Sequence, residues 1–258
     1  MPQDQILGRG KCYFDKFAPG TFNTTGELYF GNSPSLELAV ASTMLDHFDS
    51  DEGMKVKDIT ITLQQDVTTT LQVDNISTDN LALWFTGSKA KVTQAASASP
   101  VAPETIIVTP GAWYQLGVSP TNIAGVGAVT DFDAKTTDAT PAEIPLTNFN
   151  IDLKNGRFQV KPDAADITDT KPISVTYKLA ADTYDQVVSA GDQIMGAFRF
   201  ISHNAYGPSR NYFMPYTKIT ADGNFQLKGD AWQQLQFKLE VLKKDSATER
   251  VYLDGRPM

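Results

Sequence analysis

Asp58-Ile-Thr-Ile-Thr-Leu-Gln-Gln-Asp-Val-Thr-Thr-Thr-Leu-Gln-Val73 alternates over its whole length. Its odd positions are Ile59, Ile61, Leu63, Gln65, Val67, Thr69, Leu71 and Val73, and every even position is polar. Period two places the first set on a core and the second against water. No Gly, Pro or Asn interrupts the run, so it reads as one strand and not a hairpin. Unbroken, it spans roughly 50 Å at about 3.3 Å per residue, against a usual strand of ~5–6 residues. Either a bulge near Gln65 bends it, or it serves something larger than one domain.

The rest of the chain agrees with a mainly β protein. Threonine occurs 27 times and leucine 18 times, an order that suits pleated surfaces and disfavours a helical bundle. Before the long strand, Lys11–Phe14 and Glu27–Phe30 flank a turn-rich stretch, as in a hairpin, and Leu36, Leu38 and Val40 alternate with polar or small residues. After it, Ser77, Thr78 and Asp79 are N-cap types, and Leu81, Leu83, Trp84 and Phe85 give one short helix an apolar side before Gly87. Leu81, Trp84 and Phe85 are the expected docking residues, because a helix this short needs a sheet to rest on. Ser88–Pro103 reads as exposed loop. Strands follow at 105–108, 112–118, 149–153, 157–161, 173–179, 193–202, 211–220, 224–228, 232–242 and 250–253, with Asn155-Gly156 and Asp222-Gly223 as turns. The expected organisation is a single β-rich domain over 1–258 with a loop-rich insertion at about 88–145.

Composition excludes several functions. A formal net charge of −8 is unsuited to coating nucleic acid. Residues 21–54 hold Glu27, Glu37, Asp46, Asp49, Asp51 and Glu52 and no Lys or Arg. The uncharged run Thr105–Thr130 contains Pro110, Pro120 and four glycines, which excludes it as a membrane helix. The N-terminus lacks the basic start and apolar run of a signal peptide. One cysteine, Cys12, allows no internal disulfide, and His47 and His203 lie in no HExxH pattern. Gly8-Arg-Gly-Lys11 fails the phosphate-loop spacing. Asp131/Asp133 and Asp163/Asp166/Asp169 lack the spacing of a calcium loop. The expectation is therefore no catalytic residue, no metal site and no cofactor.

Several motifs, taken in order, resemble the major tail (tail tube) proteins of long-tailed bacteriophages. They are Leu7-Gly-Arg-Gly-Lys-Cys-Tyr-Phe-Asp-Lys-Phe17, Tyr29-Phe-Gly-Asn-Ser-Pro34, Leu45-Asp-His-Phe48 and Asp79-Asn-Leu-Ala-Leu-Trp-Phe85. Near the C-terminus, Gly196-Ala-Phe-Arg-Phe-Ile-Ser-His-Asn204, Tyr212-Phe-Met-Pro-Tyr216 and the run from Gly229 to Lys243 continue the likeness. It covers both ends of the chain and little of about 89–144. It implies an antiparallel β-barrel or sandwich with one short flanking helix. It also implies self-association into stacked hexameric rings whose strands close a shared β-barrel channel. Genome DNA would pass through without specific binding, and terminator, tape measure and distal tail proteins would be further partners. The place would be the virion tail, assembled in the host bacterial cytoplasm, with no membrane involved.

With that resemblance, the polar face of the long strand becomes the wall of a wet channel. The candidate channel-lining residues are Glu37, Asp58, Thr60, Thr62, Gln64, Asp66, Thr68 and Thr70, with Leu36, Leu38, Ile59, Ile61 and Leu63 packed behind them. Two other classes stay open. One is another virion assembly protein, such as a head decoration or tail terminator subunit. The other is a β-sandwich module for carbohydrate or a host surface, for which Trp113 and Tyr114 offer aromatics.

Overall fold

The computed structural model describes residues 5–51 and 53–254. In chain order the strands and helix are β1 (Gly10–Phe17), β2 (Thr24–Tyr29), β3 (Ser35–Asp49), β4 (Val56–Val73), α1 (Thr78–Trp84) and β5 (Ser88–Gln94). Then come β6 (Glu104–Val108), β7 (Trp113–Gln115), β8 (Val129–Thr136), β9 (Phe149–Asp152), β10 (Arg157–Val160) and β11 (Lys171–Leu179). The series ends with β12 (Asp182–Val188), β13 (Ile194–Ser202), β14 (Tyr212–Asp222), β15 (Leu235–Val241) and β16 (Tyr252–Leu253). The protein is mainly β, and its registered strand pairs are antiparallel.

Two compact units share the chain: residues 1–90 with 186–258, and residues 91–185. The second unit is neither loop-rich nor confined to the 88–145 of the sequence reading. Its sheets β7-β10-β9 and β6-β11-β8 are completed by strands beyond residue 145. Val108, Phe132, Phe149, Phe158, Ile173, Val175 and Tyr177 from both sheets share one core, a sandwich-like arrangement. Strand β11 shows why: Ile173, Val175 and Tyr177 are buried while Ser174, Thr176 and Lys178 face outward. Strand β8 escapes period two because the register shifts opposite Thr176/Lys178, where Asp131 takes a φ of +53°. That bulge puts Val129, Phe132 and Ala134 inside together.

The first unit is one sheet in the order β2-β1-β13-β14-β15-β4-β3, with β16 added beside β14. It does not close into a barrel; among the described residues β2 and β3 remain its edges. Strand β15 supplies Leu235, Phe237, Leu239 and Val241 to the core at every second position. They meet Phe14, Phe30, Leu71, Val73, Phe198 and Ile219. The expected strand at 224–228 is absent: Asp222-Gly223 opens a longer connection to β15, and its Phe225 packs 5.9 Å from Trp84.

Strands β5 and β12, along which the chain passes out of the first unit and back into it, pair as a two-stranded sheet. Both are largely exposed, so no apolar alternation marked them, and the loop expected at 88–103 is a strand as far as Gln94. Gly87 is required here, since a Cβ would stand 1.9 Å from the Val188 carbonyl oxygen.

Helix α1 starts where its capping residues indicate, with the Ser77 hydroxyl accepting from the Asn80 amide at 3.2 Å. Leu81 and Trp84 pack against the core as expected. Phe85 does not belong with them: it is the C-cap residue, 39% exposed, and it packs edge-on against Trp84 and not against the core. Leu83 is the buried anchor instead, helped by Asn80, whose Nδ2 donates to the carbonyls of Phe30 and Asn75 at 2.8 Å. Leu83→Ala is expected to cost about 2–5 kcal/mol and Phe85→Ala well under half of that. Thermal or urea denaturation of the two variants checks the order.

Candidate functional site

Strand β15 pairs with β4 from Leu235↔Val73 to Val241↔Val67 and stops there. Strand β4 continues outward to Val56, paired among the described residues only with β3. Ala39–Asp49 and Val56–Asp66 therefore form a two-stranded arm, every described residue of which is exposed. A lone hairpin is marginal in water, and this one carries uncovered Val40, Met44, Leu45, Phe48, Val56, Ile59, Ile61 and Leu63.

Register decides which residues share a side. Near the body, the core face holds Leu36/Leu71, Leu38/Thr69 and Val40/Val67, and the outer face holds Glu37/Thr70, Ala39/Thr68, Ala41/Asp66 and Thr43/Gln64. Between Thr43↔Gln64 and Met44↔Thr62 the register shifts, and Leu63 is the extra residue. A one-residue slip moves every later side chain of β4 to the other side relative to its earlier phase. Beyond the bulge the outer face carries Leu45/Ile61, His47/Ile59 and Asp49/Val56, while Thr60 and Thr62 lie with Asp46 and Met44 on the core side. A second shift leaves Asp58 as the extra residue, with one Oδ 2.7 Å from Nδ1 of His47.

The eight candidate lining residues thus do not form one face. Glu37, Gln64, Asp66, Thr68 and Thr70 stay together on the outer face, and Gln64 donates to both Asp66 oxygens at 2.8 Å. Thr60 and Thr62 are on the opposite side, and Asp58 sits in a bulge. The packing expected behind them also fails over the outer half. Ile59, Ile61 and Leu63 are more than half exposed, Leu38 is 44% exposed, and only Leu36 of that group packs partly on the core. The cause is the bulge at Leu63, two residues from the expected Gln65, which strict alternation of one strand cannot reveal. The arm residues of β3 were missed altogether. The adjacent apolar pair Met44-Leu45, which breaks the alternation of Leu36, Leu38 and Val40, was the available signal.

Polar contacts cross the arm without covering it. Lys57 Nζ lies 2.7 Å from Asp46 Oδ2, and Thr60 donates to Asp46 Oδ1 at 2.9 Å. These partners hold the Asp46 carboxyl below the ordinary aspartate range, Lys57 contributing most, and the His47 hydrogen bond does the same for Asp58. Exposed pairs of this kind are screened by water and contribute little, whereas fully covering one Leu or Ile contributes about 1.5–3 kcal/mol. Covering the arm's apolar side chains would therefore outweigh its own ion pairs.

The residues considered for chemistry are otherwise engaged. Cys12 is buried in the core, and burial pushes its thiol up to about 11 against the opposing hydrogen bond with Ser33. Asp131 pairs with Lys178 and Asp133 with Lys135, while Asp166 accepts from Asn148. His203 is exposed, and its backbone amide donates to Arg9. Among the described residues no three His, Cys, Asp or Glu side chains converge, and no helix is long and apolar enough to cross a membrane.

The chain matches the family described as "Protein of unknown function UCP028589" over residues 5–249. It belongs to that family. No curated protein matches it. The family's description assigns no chemistry, so the arm's geometry carries the functional argument.

Two outcomes follow from this geometry. Ile61→Asp, a change that would be ruinous in a core, is expected to leave the melting temperature of the isolated subunit within about 2 °C, because the side chain is already in water. A large drop would place Ile61 in the subunit's own core. For Asp46 and Asp58, a carboxyl pKa lowered by folding means their pairing is present above the unfolded value and fades as pH falls through the folded one. Carbon NMR titration should find both carboxyls protonating at lower pH in the folded chain than in urea.

Proposed function

We propose that the protein is a structural subunit of a bacteriophage tail tube, acting by self-assembly with no catalytic centre and no cofactor. The observation that carries the reading is the arm: a ribbon with apolar side chains on both faces, extending past the last strand that supports it. Neighbouring subunits would cover it. The free edges β2 and β3 favour the same reading, since strand pairing between copies closes a sheet into a shared barrel and removes its edges. The family resemblance of the sequence motifs supplies six subunits per ring, stacking of rings into the virion tail, and the terminator, tape measure and distal tail proteins as neighbours.

In such a tube the wet wall is narrower than the sequence pattern indicates. Glu37, Gln64, Asp66, Thr68 and Thr70 would line the channel, and the outer half of the arm would be used elsewhere. Of these five residues Glu37 and Asp66 are acids and none is basic, so each subunit would bring two carboxylates to the wall. DNA carries about one negative charge per 1.7 Å of helix axis, so an acidic wall repels it and lets it slide.

Electron microscopy of the concentrated full-length protein tests assembly: rings or tubes are expected, and particles that stay monomeric at every concentration would refute the proposal. For the lining, Glu37→Lys with Asp66→Lys should still assemble but retain DNA in the channel at low salt. Retention should fall as added salt screens the charges. Ejection indistinguishable from the parent at low salt would remove this face from the channel.

A further inference from the structure

The bulge at Leu63 divides the arm into two parts with opposite chemistry, and the outer part needs a seat. Beyond it, Leu45, Ile61, Ile59 and Val56 make an apolar outer face, Met54 at the tip is 77% exposed, and Asp49 and Asp51 stand beside it. Neither aspartate has an ion-pair partner among the described residues.

A matching surface lies on the body of the same unit. A cleft of about 800 Å³ opens at the root of the arm, with Cys12, Leu36, Leu38 and Met214 among its walls. Exposed Arg9 and Arg210 border it, and neither pairs with a carboxylate among the described residues. Glu37, an outer-face residue on the edge strand β3, also reaches the border of the cleft. The cleft continues the core-face strip of Leu36, Leu38 and Val40, so an occupant would extend an interface the arm already begins.

We infer that the cleft receives the outer half of the arm of a second copy, with Met54 and the Leu45/Ile61 face in the apolar floor and Asp49 and Asp51 meeting Arg9 and Arg210. Knob and socket are different surfaces, so the contact can repeat head-to-tail into a ring or filament, the form the tube reading needs, whereas reciprocal exchange between two copies would close as a dimer. The charges set register and suppress wrong docking, while the apolar area supplies the affinity. The seat rests on the tube reading for its larger meaning, but its test separates the two.

Charge exchange in the full-length protein is that test. Arg9→Glu with Arg210→Glu, and separately Asp49→Arg with Asp51→Arg, should each raise the concentration for half-assembly at least about tenfold while leaving the melting temperature unchanged. The chain carrying all four changes should regain assembly. Light scattering reads the assembly, and electron microscopy its form. A parent that assembles while the arginine pair variant assembles equally well overturns the seat and leaves the tube reading standing. So does loss of assembly only with the arm variant, which assigns the cleft to another occupant. Failure of the fourfold exchange to restore assembly, with each pair variant folded, also overturns the seat. A parent that never assembles overturns both.

Discussion

Backbone pairing between β15 and β4 ends at Val241↔Val67, and that end point governs the first unit. Inside it, β4 has a neighbour on each side and alternates cleanly: Val67, Thr69, Leu71 and Val73 are buried, with Thr68, Thr70 and Gln72 half-exposed between them. Outside it, the same strand has one neighbour and no floor. The sequence pattern passes through the boundary without change, because Ile59 and Ile61 look as core-directed as Leu71. What changes is the supply of something to pack against, and that supply lies in β15, more than 160 residues away.

The fold class was legible because alternation survives wherever a strand has a sheet on one side and water on the other. Strands β11, β14 and β15 are of this kind, and so is the Asn155-Gly156 hairpin between β9 and β10. Strands β5 and β12 were hidden because exposed ribbons carry no apolar period, and β8 because of its bulge at Asp131. The helix was placed correctly from its caps, but spacing alone could not choose Leu83 over Phe85 as its anchor. For the candidate site, the polar set near the body was readable and its outer continuation was not. One extra residue at Leu63 reverses the assignment of residues 59–62, until the second bulge at Asp58 restores it, and no rule of composition locates a bulge.

Charge and apolar surface have separate tasks on the arm. Pairs such as Asp46–Lys57 and His47–Asp58 hold the two strands together sideways without covering either face. The carboxylates of the outer face near the body are countered by amides and hydroxyls, so negative charge persists there. An arm built this way resists collapse onto its own body while keeping its apolar residues available.

The division of the chain also has a consequence for synthesis on the ribosome. Unit 91–185 is contiguous, with its own core, and needs nothing downstream to be complete. The other unit is discontinuous: β1 waits for β13, and β4 for β15. During translation the β3–β4 hairpin therefore emerges early, while the strands that anchor its base do not yet exist. The sheet can close only after the inserted unit and β13–β15 have followed it out of the exit tunnel, a high-contact-order step that comes last. A nascent chain thus holds its stickiest element before its scaffold. Polypeptides truncated before Leu235 lack the strand that fixes it in place.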